Sequence, residues 1–140
     1  MRAVLVDAGP LVALLDRSDP DHQACRSALT AVRDPLATVW PAVTEAMYLL
    51  GRVSWPAQDA LWELLEEVRI LPLETRDARR MCALMEKYRS LPMDLADAAL
   101  VAVAEREMIR SIFTLDGRDF GVYRPARIGR FSVIPKQPGI

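Results

Sequence analysis

Short apolar runs alternate with longer segments of helical periodicity along the whole chain, and this alternation limits the fold more than any other feature. The runs Ala3–Val6 (AVLV), Leu36–Trp40 (LATVW), Val68–Leu73 (VRILPL), Ser111–Leu115 (SIFTL) and Phe131–Pro135 (FSVIP) have strand length and favour β-branched or aromatic residues. Pro10 opens a helix that continues through LVALLD, and Asp19 or Asp21 caps another that reaches about Arg33. Pro41 opens a helix to about Gly51, and Ser54 caps the next, with Pro56 in its first turn. Two more helices are expected, from Thr75 through DARRMCALMEKY and across SLPMDLADAALVAVAERE, with Pro92 near the start of the latter. Strands separated by helices require crossover connections, so the sheet is expected to be mostly parallel and covered on both faces. The predicted fold is α/β, a three-layer α/β/α sandwich, and the 140 residues suit a single domain over 1–140.

Composition excludes several classes. Hydrophobic residues make up 51% and charged residues 26%, an ordinary globular mixture, and no apolar run has the length of a membrane span. The opening MRAVLVDAGPLVALLD carries Asp7 and Asp16 and reads as a first strand and helix, not as a signal peptide, so a cytoplasmic protein is expected. Cys25 and Cys82 have no zinc spacing and read as idle thiols. The single histidine, His22, reads as a surface residue near a helix start, which leaves histidine-based nucleophilic catalysis unsupported. The net charge of −1 announces no nucleic-acid binder, but beyond Asp119 there is no acidic residue, while Arg124, Arg127, Arg130 and Lys136 follow. That basic tail reads either as a solvated surface or as a set of phosphate contacts, for which arginine is well suited.

In parallel α/β sheets, ligands bind outside the carboxyl ends of the strands. Asp7 follows the first expected strand and Asp116 the fourth, so both belong to that edge. Glu45 lies in the first two turns of the helix after the second strand; Asp94 and Asp97, three apart, share one face at the start of the helix before the fourth. Each acid but one has an ordinary structural alternative. Asp7 can form an Asx turn, Asp116 and Asp119 can serve the turn at Gly117, and Glu45 and Asp94 gain from a helix N-terminus.

Asp97 is the exception. It is too deep in its helix to cap it, and Ala96, Ala98, Ala99, Leu100, Val101 and Ala102 surround it. An unpaired buried carboxylate costs several kcal/mol, so it is normally paired or bound to a metal. No arginine or lysine lies within a helical turn, which leaves a remote arginine or a cation as its partner. Several carboxylates converging on one edge repel one another by roughly 4 kcal/mol per close pair at an effective dielectric near 20, a cost that a hard divalent cation removes. An all-carboxylate site suits Mg²⁺ or Mn²⁺ and phosphoryl chemistry.

The segments VLVDAGPLVALLD, TEAMYLL, PMDLADAALVAVAE and FTLDGRDF, in that order, resemble the four acidic motifs of PIN-domain ribonucleases, and the similarity extends over essentially the whole chain. The compact form is most similar to VapC-type toxins of toxin–antitoxin pairs. The resemblance implies Asp7, Glu45, Asp97 and Asp116 as catalytic and metal-binding residues, with Asp94, Asp119 and Thr114 as nearby helpers. It also implies RNA cleavage with Mg²⁺ or Mn²⁺ to 3′-hydroxyl and 5′-phosphate ends, a homodimer, and a small antitoxin that blocks the site. Arg124, Arg127 and Arg130 are then expected to hold RNA phosphates. Related PIN proteins process or bind RNA without an antitoxin, and the motifs do not separate the two. A receiver-type phosphoacceptor domain is a more distant alternative, but the chain has PLET where that class needs an aspartate after the third strand, and Ala8 and Gly9 follow Asp7 where an aspartate-nucleophile phosphohydrolase needs a second acid.

Overall fold

A computed structural model describes residues 1–136. Twelve elements follow in order: β1 (Val4–Val6), α1 (Ala8–Leu15), α2 (His22–Ala31), β2 (Leu36–Thr38), α3 (Trp40–Gly51), α4 (Trp55–Leu65), β3 (Arg69–Ile70), α5 (Thr75–Lys87), α6 (Leu95–Glu107), β4 (Ser111–Phe113), α7 (Gly117–Val122) and β5 (Ser132–Ile134). The strands form one sheet in the order β3-β2-β1-β4-β5, and every pairing is parallel. This order excludes the receiver arrangement, which places its strands 2-1-3-4-5. The chain moves outward on one side of β1 and then returns to build the other side. The switch point therefore falls between β1 and β4, where such sheets form their ligand crevice.

Strand alternation divides the core into two layers. Leu5, Ala37 and Ile112 point to one face and pack with α6, Leu84 and Tyr88 of the α5 end, and Phe120. Val4, Val6 and Phe113 point to the other face, against Leu11 and Ala13 of α1, Val43, Ala46 and Leu50 of α3, and Leu61 of α4. This is the expected three-layer sandwich. The strands are shorter than the sequence runs. Trp40 already belongs to α3, and the residues after Phe113 leave the ladder through Thr114, whose N–H still donates to Ile134 O at 2.9 Å.

Helix α6 is buried from Ala96 to Glu105. Alanines let it lie close to the sheet, while α5, α3 and the segment after α7 cover its remaining surface. It starts three residues later than Pro92 suggests, because Asp94 takes the N-cap position and accepts the N–H of Asp97 at 2.8 Å. A last helix, α7, was not legible as such: GRDFGV has a glycine at its first position and another within it, and reads as loop. No helix among the described residues is long and apolar enough to cross a membrane.

Candidate functional site

Two buried carboxylates lie on α6, eight residues apart in sequence, with opposite surroundings. Glu105, near the C-terminal end, is 5% exposed and receives Arg80 in bidentate fashion, at 2.8 and 2.7 Å. The Ala126 N–H adds a third bond at 2.7 Å. Burial alone would raise this carboxyl, but the Arg80 hydrogen bonds and charge outweigh it and hold the group below the ordinary glutamate value. Asp97, at the N-terminal end, is 9% exposed; among the described residues it has no cationic partner, and its side chain accepts only the hydroxyl of Tyr123, at 2.8 Å. Burial pushes Asp97 up to about 8, with further repulsion from Asp7, Asp94 and Asp116, against which the Tyr123 hydrogen bond works. A remote arginine of the kind allowed by the sequence does reach this helix, Arg80 from α5, but it pairs with Glu105.

The strand ends supply the other acids. The Asp7 N–H donates to Phe113 O at 2.9 Å, which extends the β1–β4 ladder one step and fixes where its side chain leaves the sheet. One Asp7 oxygen caps α1 through the Ala8 N–H at 2.8 Å, and the other accepts the Thr114 hydroxyl at 2.9 Å. In place of the expected Asx turn, Asp7 combines a helix-capping role with a place in the cleft. Thr114, fully buried, also accepts the Asp116 N–H at 2.9 Å and so ties the ends of β1 and β4 together. Burial raises the Asp7 carboxyl, as do Asp94 and Asp116, while its hydrogen bonds oppose the shift.

Asp7, Glu45, Asp94, Asp97 and Asp116 line one cleft of about 260 Å³, together with Ala8, Gly9 and Leu115. Glu45 and Asp94 sit exposed at its mouth, and burial, then Asp94 and Asp7, raise Glu45. Gly9 is tightly placed, since a Cβ there would lie 3.4 Å from Leu115. Single oxygens of Asp97, Asp116 and Asp119 come within 4.8 Å of one another, and Asp119 is raised by burial and then by its contact with Asp116. Oxygens bound about 2.1 Å from one Mg²⁺ stand roughly 3 to 4 Å apart, so this group needs only slight closure. The donors are all hard carboxylate oxygens, and neither the cysteines nor His22 line the cleft, which fits a hard divalent cation and disfavours zinc.

The arginines of the basic tail are placed differently. Arg124 commits one guanidinium nitrogen to the carbonyls of Gly121, Val122 and Tyr123 at the end of α7. Arg127 donates to Glu105 O at 3.0 Å, at the end of α6. The side chain of Arg130 lines a separate pocket beside α7. Tyr123 is the residue of the site that the sequence did not disclose. It lies in the segment that reads as basic tail, and only the fold places its hydroxyl against Asp97.

An all-parallel sheet with a carboxylate-lined cleft at its switch point defines a class of acid-cluster α/β proteins built for a divalent cation. The chain belongs to the PIN domain family, whose profile matches residues 4–124. It is 32% identical over 141 residues to ribonuclease VapC26 of Mycobacterium tuberculosis (strain ATCC 25618 / H37Rv), an alignment covering 94% of this chain and all of the relative. Its fold is similar to that of VapC20 of M. tuberculosis, a sarcin–ricin loop cleaving toxin, with a TM-score of 0.75 and 18% identity over 81% of this chain and 90% of that one. It is also similar to a chain of a toxin–antitoxin complex from Klebsiella pneumoniae, with a TM-score of 0.66 and 23% identity over 85% and 91% of the two chains.

Proposed function

We propose that the protein is a metal-dependent endoribonuclease, the toxin of a toxin–antitoxin pair, acting with Mg²⁺ or Mn²⁺ in the cytoplasm as a homodimer whose small antitoxin covers the cleft. In this reading residues 1–140 form one domain, and Asp7, Asp97, Asp116 and Glu45 are its catalytic and metal-binding set. The observation that carries it is Asp97, a carboxylate buried among the alanines and other apolar residues of α6, facing other acids and without a cationic partner among the described residues. The family, the kinship to a VapC ribonuclease and the likeness to a toxin–antitoxin complex support the same reading.

When bound, the cation supplies charge neutralisation at the scissile phosphate and makes water more acidic. The chain's own groups do the rest. Thr114 and the Ala8 N–H fix the Asp7 carboxylate, and Tyr123 fixes Asp97, so neither must reorganise during the reaction. Asp94 caps α6 and thereby sets where Asp97 points, and Asp119 joins Asp97 and Asp116 on the α7 side. Glu45, raised and at the mouth of the cleft, takes the proton from the attacking water. The water oxygen bonds to phosphorus, the P–O3′ bond breaks, and the 3′-oxygen takes a proton from solvent, leaving a 3′-hydroxyl and a 5′-phosphate. This reading assigns RNA phosphates to Arg124, Arg127 and Arg130, of which Arg124 and Arg127 also hold backbone carbonyls. Incubation of the purified chain with total RNA, in Mn²⁺ and in EDTA, tests it. Metal-dependent 5′-phosphate ends are expected, and cleavage that persists in EDTA or in Asp97→Asn refutes it.

A further inference from the structure

Helix α7 has a different chemistry on each of its two faces. Asp116, Asp119 and Tyr123 turn toward the acid cleft. Gly117, Arg118, Gly121 and Val122 turn toward a second pocket of about 380 Å³ that no part of the mechanism uses. Arg118, Arg130 and Lys136 make its rim cationic, the buried Phe131 and the partly buried Val133 lie at its floor, and the half-exposed Val122 also lines it. Among the described residues no carboxylate lies within salt-bridge distance of those three cations. Gly117 lines this pocket and Asp116 lines the cleft, so consecutive residues join the two, with Cα atoms about 3.8 Å apart.

Gly121 adds an independent indication. A glycine inside a helix costs roughly 1 kcal/mol relative to alanine. Here neither usual reason for it applies, because its φ is not positive and an added Cβ would meet nothing within 4 Å. What the missing side chain does is leave the pocket open.

We infer that this pocket is a nucleotide subsite, which takes one unit of single-stranded RNA next to the phosphate held in the acid cleft. This inference rests on the ribonuclease reading. The acid cleft repels every phosphate except one neutralised by a cation, so a polyanionic strand needs positive charge immediately beside it. The rim supplies that charge, and the floor shields one face of a base. The volume is near the lower end of the roughly 300–1,000 Å³ typical of small-ligand sites, enough for one nucleotide and too little for a folded stem. Arg130 thereby keeps the phosphate contact expected of it, and Arg118 and Lys136 join it.

The test measures binding of a fluorescein-labelled single-stranded RNA of random sequence to the full chain in EDTA, across a salt series. The double variant Arg118→Ala/Lys136→Ala should flatten the logarithmic salt dependence by about 1.4, or about 0.7 per contact. Gly121→Leu should fill the pocket and weaken binding roughly tenfold at every salt concentration while leaving the slope unchanged. Its melting temperature should not fall, since the new side chain enters open space and leucine favours helix. If the parent cleaves total RNA in Mn²⁺ while both variants bind the strand as the parent does, or the parent does not bind it, the subsite is wrong and the ribonuclease reading stands. A parent that neither binds nor cleaves RNA overturns both. Binding of labelled poly-glutamate at these residues in place of RNA would assign the pocket to an acidic protein partner and overturn the inference.

Discussion

Replacing Asp97 by asparagine should make the metal-free protein more stable, although it alters a buried side chain. Asn keeps the shape and an oxygen that can accept the Tyr123 hydroxyl, so packing around α6 survives. What disappears is a group whose value rises from 3.8 in the unfolded chain to about 8 in the fold. Between these limits the folded state holds a proton that the unfolded state has released, so the parent loses stability as pH rises, by up to about 1.4 kcal/mol per pH unit. The ceiling near pH 8 is about 5 kcal/mol; the cleft is open to water, which screens much of this, and we expect a gain of about 1–3 kcal/mol. The gain should shrink toward pH 4, where both states of the parent are protonated. Urea melts in EDTA at about pH 5 and about pH 8 measure it. Glu105→Gln, on the same helix, is the contrasting control. It strands Arg80 and should lose stability, toward the lower end of the ~3–5 kcal/mol for a broken buried pair because the Arg80 side chain is 41% exposed. If Asp97→Asn instead loses a similar amount in EDTA at both pH values, Asp97 is a structural partner and the argument fails.

Three further outcomes follow, two from contacts around the cleft and one from the far end of α6. Tyr123→Phe removes the hydroxyl that favours ionised Asp97, so Mn²⁺ affinity should fall at neutral pH and recover as pH rises; a loss independent of pH would make Tyr123 a packing residue only. Thr114→Val leaves Asp7 without one donor and the Asp116 N–H without its acceptor, and should cost about 1–3 kcal/mol in a thermal melt, with weaker metal binding; an unchanged melt would deny the tie between β1 and β4. Met108 holds a left-handed conformation, φ 56°, at the end of α6, so Met108→Gly should stabilise by up to about 1 kcal/mol, and a clear loss of stability would show that its exposed side chain packs usefully.

The layers were legible because a valine-rich run followed by a helix opener has few other solutions, and the acids because strand ends on one sheet edge must meet. Asp97 stood out by its neighbours alone. What stayed hidden depends on contacts distant in sequence. Arg80 and Glu105 are 25 residues apart, and Tyr123 is 26 from Asp97, so no local period links either pair. The short helix α7 carries glycines that argue against a helix, and it forms because Asp116 caps it through the Asp119 N–H and Phe120 anchors it in the core. From charge alone the basic tail read either as a solvated surface or as one set of phosphate contacts. Folding commits a guanidinium nitrogen of Arg124 and of Arg127 to the ends of α7 and α6, and turns Arg130 toward a pocket.

The central claim is that the cleft at the β1–β4 switch point holds a hard divalent cation through Asp97. Calorimetric titration of Mn²⁺ into the metal-free protein, beside the same titration of Asp97→Asn, addresses it most directly. The parent should bind saturably, and its melt should rise by the equivalent of about 2.7 kcal/mol at a hundredfold excess over Kd. Asp97→Asn should bind weakly or not at all while remaining folded. Saturable binding of equal strength in both proteins, or none in the parent at millimolar Mn²⁺, would contradict the account.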